Sequence, residues 1–460
     1  MIGVLMGAVD STIVLLALPT ITTDLRAPLS GSIWIIMVYL LMLAVGTTQL
    51  GRLGDILTRK RIFNAGLALF TVSSALCGLS PNIDYLIGFR VFQGIGAAMI
   101  QANSGAIVAE NFTPDKRGRI YGYISVGYNA GAMLGIILGG IITTFVGWRF
   151  IFYINVPIGL FAVYFGIRNI RKWPAKKTRL DVPGALLLLA SLSLISYAAV
   201  DLTTHGVLLS DKSELIAGVL LLAAFVLVET RVRSPLFPLR IMKIRVLSFS
   251  ILASFMQSLG FLAVTFVIIM YLQGVRGLSP FLSSVLLLPG YLIGSVLGPY
   301  FGKLADRIGS RIPATLGIVI MMIAIVIYST FTTKTDVLLV SVGSFFTGTG
   351  SSMFYPANNS AVMANSPKDL YGLASGFLRT MANIGMLGSF TLSVSVLSLT
   401  ISRELAFRVF AGVGEIIGNI SSSFMAGVRA SLYISLIILA MAALFSSLRG
   451  QEVRSAVADA

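Results

Sequence analysis

The sequence has almost none of the two side chains that most often form cross-links or hold transition metals. Its 460 residues include one cysteine, Cys77, and one histidine, His205. A single thiol excludes an intramolecular disulfide and any site built from several thiolates, so no metal site is predicted. The chain also lacks a Walker loop, which argues against ATP hydrolysis and predicts a protein that is not an enzyme.

Charged residues are scarce as well. They make up 11% of the chain, whereas 56% of residues are apolar, and the mean hydropathy of +0.91 lies far above that of soluble domains. Fourteen apolar stretches of about 18 to 25 residues follow one another, and about 20 such residues let a helix cross a bilayer. These continuous runs differ from the short alternating segments of a barrel. The sequence predicts an all-α membrane protein with fourteen transmembrane helices.

The basic residues indicate an orientation. The net charge is +16, and most lysines and arginines fall in gaps on one side of the predicted helices. Because basic residues near helix ends stay in the cytoplasm, both termini are predicted to be cytoplasmic, in a multi-pass protein of the cell membrane. Such a basic inner face suits an anionic leaflet, so membrane lipids, and no nucleic acid, are expected partners.

A charged loop near the start of the chain occurs a second time. The stretch GRLGDILTRKR at 51–61 is followed about 250 residues later by GKLADRIGSR at 302–311. The shared positions are Gly51, Leu53 and Asp55, which recur as Gly302, Leu304 and Asp306. The step Gly94-Ile95-Gly96 recurs as Gly348-Thr349-Gly350 at nearly the same offset. The pattern indicates a duplicated unit of six helices.

Two predicted helices remain between the copies, flanked by basic linkers that contain proline. The predicted organisation is an N-terminal six-helix half at 1–170, two inserted helices at 171–245, a C-terminal six-helix half at 246–448 and a cytoplasmic tail at 449–460. Parallel repeats of this kind build transporters whose halves rock about a site near the membrane midplane. We expect a monomer.

Four stretches carry a family resemblance. GRLGDILTRKR at 51–61, RVFQGIGAA at 90–98, VDSTIVLLALPTI at 9–21 and GWRFIFYINVPIG at 147–159 occur in this order. Together they resemble the major facilitator superfamily, and specifically its fourteen-helix drug:proton antiporters of the multidrug efflux type. The resemblance implies proton-coupled export of small amphipathic or cationic compounds by alternating access, with no cofactor and a proton gradient as the energy source.

Some positions depart from the family pattern and leave alternatives open. Ile56 and Thr58 stand where the loop usually has arginine and glycine, and Ile136 stands in the fifth helix where the antiporters usually have proline. A proton- or sodium-coupled symporter of the same fold therefore remains an alternative. A non-transporting membrane sensor is a remote one, because it would need neither the duplicated loop nor a deep acid.

Asp10 is the only acid that the sequence places deep in the membrane. A carboxylate there is costly, and desolvation favours its protonated form, so it could exchange protons where access alternates. Counted along their helices at 1.5 Å per residue, Asp10 and Arg90 lie within an arginine's reach in depth. We expect them to interact directly or through water and to couple proton movement to transport. The alternative is a purely structural ion pair.

A set of amides suggests a polar substrate cavity for a small molecule. These residues are Gln93, Gln101, Asn103, Asn129, Gln257, Asn358 and Asn383. Any one of them could instead join two helices.

The repeated loop is expected to act as a conformational latch, which the resemblance implies is made in one transport state and broken in the other. Its residues are Gly51, Asp55, Arg59, Lys60, Arg61, Gly302, Asp306 and Arg307. In the fifth helix, Gly131, Gly135 and Gly139 recur every four residues, which permits a close approach of a neighbouring helix.

No basic segment precedes the first apolar run, and that run contains Asp10. A signal peptide is therefore not predicted, and a start upstream of Met1 stays open.

Overall fold

A computed structural model of the chain describes residues 2–111, 114–171, 174, 180–205, 209–232, 235, 241–366, 371–400 and 419–450. In that part the regular structure is helical, with fourteen helices of 15 residues or more. The helices are α1 (Ile2–Asp24), α2 (Leu29–Leu57), α3 (Arg59–Gly78), α4 (Ile83–Asn111), α5 (Pro114–Phe145), α6 (Asn155–Asn169), α7 (Val182–His205), α8 (Leu209–Glu229), α9 (Arg245–Met270), α10 (Pro280–Ile308), α11 (Arg311–Ser329), α12 (Leu338–Asn365), α13 (Tyr371–Thr400) and α14 (Asn419–Leu448). Most of the predicted tail at 449–460 lies outside the described residues.

Most of these helices can cross a membrane. Eleven helical spans in the described residues are long and apolar enough to do so, and a shorter apolar helix runs over Ala130–Phe145. The helix α12 is not among the eleven, and its sequence contains many serine, threonine, glycine and asparagine residues. The prediction of an all-helical, multi-pass membrane chain is confirmed, whereas a membrane crossing by all fourteen helices stays a prediction.

Two groups of six helices, α1–α6 and α9–α14, share one packing pattern. In the first group α1 packs on α5, α2 on α4, and α3 on both α4 and α6. In the second group α9 packs on α13, α10 on α12, and α11 on both α12 and α14. Each pair in the first group therefore has a counterpart in the second.

The repeated glycines lie at equivalent contacts of the two groups. A Cβ atom on Gly96 of α4 would lie 2.7 Å from the backbone nitrogen of Phe70 in α3. A Cβ atom on Gly350 of α12 would lie 2.9 Å from the backbone nitrogen of Met321 in α11. Because any side chain would collide with backbone there, glycine is what lets these helices pack so closely.

The groups meet along two seams, and a further helix pair covers one of them. One seam is α2 against α13 and the other is α5 against α10. The helices α7 and α8 pack on each other, and α7 packs on both α2 and α13. Through α7, this pair therefore contacts both groups at the first seam.

The two copies of the charged loop have the same backbone conformation at one position. Thr58, between α2 and α3, has a φ of 89°, and Gly309, between α10 and α11, has a φ of 91°. Glycine adopts such a φ without strain, but a β-branched residue does not. The Thr58 side chain gains little in return, because its hydroxyl is buried without a hydrogen-bond partner. The first copy of the loop is therefore strained at Thr58.

We expect Thr58→Gly to stabilise the protein, because residues held in this region of backbone space cost about 1–3 kcal/mol. Thermal unfolding in detergent, followed by the loss of the monodisperse peak in size-exclusion chromatography, measures the effect. The matched control is Gly309→Thr, which should lower the unfolding temperature. A lower unfolding temperature for Thr58→Gly would contradict the assignment of strain.

Candidate functional site

The first group of helices encloses an ion pair. Asp10 of α1 accepts a hydrogen bond from Nη1 of Arg90 in α4, with 2.6 Å between Oδ2 and the nitrogen. The other carboxylate oxygen accepts a bond of 2.8 Å from Nε2 of Gln93, also in α4. All three residues are buried, with at most 1% of their surface exposed. The direct contact satisfies both charges without water.

Other helices of this group complete the surroundings of the pair. Arg90 Nε donates to the carbonyl of Ile35 in α2 at 3.1 Å, and its guanidinium lies 4.2 Å from the ring centre of Tyr39. Gln93 donates to the hydroxyl of Ser74 in α3 at 2.8 Å, and Asn155 at the start of α6 reaches Asp10 at 3.5 Å. Five helices thus surround the ion pair, and two of them, α4 and α6, contact the carboxylate directly.

The sequence predicted Gln93 as a cavity residue, but the structure places it on the ion pair. Gln93 follows Arg90 by three residues, so both side chains lie on one face of α4. That spacing was the available signal for Gln93. Tyr39, Ser74 and Asn155 come from separate helices, and nothing in the sequence linked them to Asp10.

Two of the predicted amides lie at the α2–α13 seam. Asn383 of α13 donates to Gln101 of α4 at 2.7 Å and to the hydroxyl of Thr47 in α2 at 3.0 Å. Next to them, the hydroxyls of Thr48 and Thr380 are 2.6 Å apart. The two groups are therefore joined here by hydrogen bonds.

The remaining amides have separate surroundings. Asn103 donates to the carbonyl of Leu50 at 3.2 Å and joins α4 to α2. Asn358 donates to the carbonyl of Ser250 at 3.1 Å and joins α12 to α9. The fully buried Gln257 of α9 has an Oε1 atom without a hydrogen-bond partner. The side chain of Asn129 lies outside the described residues.

At the loop end of the bundle, where α2 ends and α3 begins, Asp55 pairs with Arg59. The Asp55 Oδ1 atom accepts bonds of 2.9 Å from Nε and 2.6 Å from Nη2 of Arg59. In the described residues the hydrogen bonds of Asp55 come from Arg59, one turn further along the chain.

The inserted helices also reach the loop end. Arg52 donates to the carbonyl of Pro235 and interacts electrostatically with Asp181 and Glu229, two buried acids that flank the pair α7 and α8. Gln49 of α2 donates to the Asp181 carbonyl at 2.5 Å. The end of α2 is thereby tied to the inserted helices.

The other loop residues have mixed positions. Lys60 is partly exposed, and Arg61 and Arg307 are exposed. Gly51 faces Ala102 of α4, and its counterpart Gly302 faces Pro356 of α12. The side chain of Asp306 lies outside the described residues.

The three glycines of α5 face α1. Cβ atoms on Gly131 and Gly135 would lie 2.6 Å from the carbonyl oxygens of Leu5 and Val9, and one on Gly139 would lie 3.2 Å from that of Ile13. This face of α5 is therefore a close contact inside one group, and it packs against α1, the helix that carries Asp10.

The groups also touch at the opposite end of the bundle. The backbone nitrogen of Phe281 in α10 donates to the Thr144 hydroxyl of α5 at 3.2 Å. Gln273, in a π-helical turn after α9, donates to the carbonyl of Leu16 in α1 at 3.1 Å. With contacts toward both ends, the structure resembles a closed arrangement.

We expect Arg90→Gln to destabilise the protein strongly, because removing one member of a buried ion pair costs about 3–5 kcal/mol. Combining it with Asp10→Asn should cost much less than the sum of the two single changes. Thermal unfolding of the single and double variants measures this coupling.

The exposed pair Asp24–Arg149 is the matched control. Its atoms are 2.7 Å apart, but its side chains are 48% and 40% exposed, so its coupling should stay at or below about 1 kcal/mol. Equal coupling for the two pairs would contradict the role of burial.

Comparison with known proteins supports this architecture. Residues 1–389 match the Major Facilitator Superfamily. The chain is 32% identical over 408 residues to the tetracenomycin C resistance and export protein of Streptomyces glaucescens, which covers 86% of this chain and 74% of that protein. It is 29% identical over 412 residues to the riboflavin transporter RibZ of Clostridioides difficile (strain 630), with 88% of each chain covered.

Solved structures agree in fold. The crystal structure of an autoinhibited POT family peptide transporter superimposes with a TM-score of 0.68 at 15% identity, covering 99% of this chain and 98% of that one. At that identity the likeness concerns the fold alone. The match over residues 1–389 and the relatives that span most of its length lead to one conclusion: this chain belongs to the Major Facilitator Superfamily.

Proposed function

We propose that the chain is a secondary active transporter that exports small amphipathic or cationic compounds in exchange for protons. The observation that carries the proposal is the carboxylate of Asp10, enclosed within helices and held by Arg90 and Gln93. A buried acid with one strong cationic partner has two states of different charge, and coupling to a proton gradient requires such a group. Relatives named for resistance and export support the direction.

The ion pair suggests how the proton is coupled. While Arg90 contacts Asp10, each charge compensates the other, because separation would leave two uncompensated charges in a dry interior. In this proposal, a movement of α1 against α4 that breaks the contact accompanies the uptake of a proton by Asp10. Proton binding to Asp10 and the movement of α1 are thus coupled, and each must favour the other to the same extent.

Alternating access supplies the movement. In this proposal the halves at 1–170 and 246–448 rock about the α2–α13 and α5–α10 seams, and the helices at 171–245 are an insertion between them. The chain functions as a monomer in the plasma membrane with both termini in the cytoplasm. The proton gradient is its energy source, and it needs no cofactor.

The loop end provides a latch in this scheme. Asp55 orients Arg59, and Arg52 is tied to the inserted helices, which in turn pack on α13 of the second half. The first loop is thereby connected to the opposite half. Breaking these contacts would favour opening at the loop end.

A symporter of the same fold is the second candidate. Ile136, at the position where the antiporters usually have proline, is fully buried in α5, and the relative RibZ is named a riboflavin transporter without a direction. The sign of the proton flux distinguishes the two, since an exporter moves protons against its substrate and a symporter moves them with it.

We expect Asp10→Asn to abolish proton-coupled transport, because an amide cannot exchange the proton. Everted vesicles with an acidified lumen and a pH-sensitive dye measure this coupling as dissipation of the gradient when lipophilic cations or neutral compounds are added. The matched control is Asp24→Asn, which removes an exposed acid from the same helix and should keep wild-type rates. Equal dissipation by the wild type and Asp10→Asn would refute a coupling role for Asp10.

We expect Asp55→Asn to favour the state that is open at the loop end without loss of substrate binding. The pair with Arg59 is largely shielded from solvent, and about 1 kcal/mol corresponds to roughly a fivefold change in the ratio of two states. Spin labels on Leu57→Cys and Ile308→Cys, equivalent exposed positions at the ends of α2 and α10, report the distance in a Cys77→Ser background.

The control for this experiment is Asp336→Asn, at the opposite end of the bundle, where the carboxylate accepts a bond from the start of α12. It should leave the distribution between the labels unchanged. Lost substrate binding with unchanged distances in Asp55→Asn would argue against a latch.

A further inference from the structure

A second deep charge lies outside the ion pair. Arg379 is on α13, about 12 Å along the helix from its first residue, and is partly exposed. It forms no ion pair or hydrogen bond with another described residue, whereas Arg90 is fully occupied. A deep guanidinium without a bonded partner is costly, and charged residues at such depth usually mark a functional site.

Side chains from both helix groups surround Arg379. Tyr128 of α5 and Tyr355 of α12 lie close enough to Arg379 to interact with it electrostatically. Tyr355 also interacts with Gln257 of α9, and Tyr291 of α10 interacts with Tyr128 and Tyr355. Side chains from five helices of two groups can meet in this way only in the centre of the bundle.

This centre contains open space. Tyr128, Tyr291 and Tyr355 are partly exposed although their helices come together there. Cβ atoms added to Gly7 of α1 or Gly376 of α13 would meet no atom within 4 Å. Gly376 precedes Arg379 by three residues, so both lie on the same side of α13. We call the space lined by Tyr128, Tyr291, Tyr355 and Arg379, with Gln257 buried beside Tyr355, the tyrosine–arginine cavity.

One polar atom of the cavity also has no bonded partner. The Oε1 atom of Gln257 is fully buried without a hydrogen bond, although buried amide oxygens are normally satisfied. It provides an acceptor beside Tyr355, with which Gln257 interacts. The cavity therefore offers one fixed positive charge, aromatic faces and hydrogen-bonding groups.

We propose that the tyrosine–arginine cavity binds aromatic organic anions. This inference rests on the proton-coupled export proposed above, and it replaces the amphipathic or cationic substrates named there with amphipathic anions. A guanidinium binds a carboxylate, sulfonate or phosphate through paired N–H bonds, and tyrosine rings pack on a planar ring system. The phenol hydroxyls and Gln257 accommodate polar substituents.

The same geometry disfavours cations. Among the described side chains, Asp10 is the only carboxylate that lies more than two helical turns from both ends of its helix, and its two oxygens bind Arg90 and Gln93. No described carboxylate is left to balance a cation in the cavity, where Arg379 would repel it. The deep acid of the sequence therefore does not select the substrate, and the deep arginine does.

Two dyes with the same xanthene ring test the proposal. Fluorescein is an aromatic dianion, and tetramethylrhodamine methyl ester is an aromatic monocation. Their saturable binding to the full-length protein in nanodiscs is measured by fluorescence anisotropy without a proton gradient, against empty nanodiscs. We expect the wild type to bind fluorescein at least tenfold more tightly than the cation.

Arg379→Ala should weaken fluorescein binding at least tenfold and leave binding of the cation unchanged or tighter. The fluorescein affinity of Arg379→Lys should fall between those of the wild type and Arg379→Ala, because lysine keeps the charge and loses the paired geometry. Lys303→Ala, an exposed position on α10, is the matched control for loss of one positive charge and should leave both dyes unaffected. Gly376→Leu fills open space beside Arg379 and should weaken the binding of both dyes, while the elution profile stays that of a folded protein.

Tighter binding of the cation by the wild type, or an equal effect of Arg379→Ala on both dyes, overturns the proposal. Its failure is distinguishable from failure of the transport proposal, because Asp10→Asn should keep the fluorescein preference. If Asp10→Asn retains proton coupling while the preference holds, proton coupling through Asp10 fails alone. If Asp10→Asn loses coupling while Arg379→Ala has no selective effect, the assignment of substrate class fails alone.

Discussion

The structure depends on one contact between opposite charges, Asp10 with Arg90. Neither side chain could be placed in a dry helix bundle alone, because a charge leaving water loses several kcal/mol of hydration. Together, with Gln93 and Asn155 on the carboxylate and Tyr39 on the guanidinium, they form a nearly neutral unit. The price is rigidity: five helices of the first group are committed to holding it. The pair to which we assign proton coupling is thus surrounded by five helices at once.

Contacts within the groups differ in kind from contacts between them. Inside each group, glycines such as Gly96 and Gly350 bring backbones together, and water cannot replace such close packing. At the α2–α13 seam the groups are joined by Thr48 with Thr380 and by Asn383 with Gln101. Hydrogen bonds of this kind contribute on the order of 1 kcal/mol in a membrane, and water can replace them as the seam opens. The contacts within each group are therefore rigid, whereas the contacts between the groups can be replaced. Such a difference suits rigid halves that move against each other.

The sequence predicted the helical fold well, because apolar runs and the repeated loop are local signals. It also brought Asp10 and Arg90 to similar depth by counting residues. It did not indicate that Gln93 donates to the carboxylate of Asp10, since residue type alone does not tell whether an amide contacts an ion pair. The surroundings of Arg379 could not be predicted at all: Tyr128, Gln257 and Tyr355 are spread over more than 200 residues, and only the packing of five helices brings them together. The positive φ of Thr58 was likewise not predicted, although the sequence showed a threonine where the family usually has glycine.

The helices α7 and α8 have no counterpart in the packing pattern that the two groups share. Because α7 packs on α2 and α13, one seam is covered by an additional helix, while the described residues place no comparable helix over α5 and α10. In the proposed transport cycle, a compound dissolved in the bilayer would therefore have one lateral path to the centre of the protein instead of two. Molecules that partition into lipid and molecules that arrive from water would then follow different routes to the proposed cavity, and α7 would set the side from which the membrane delivers a substrate.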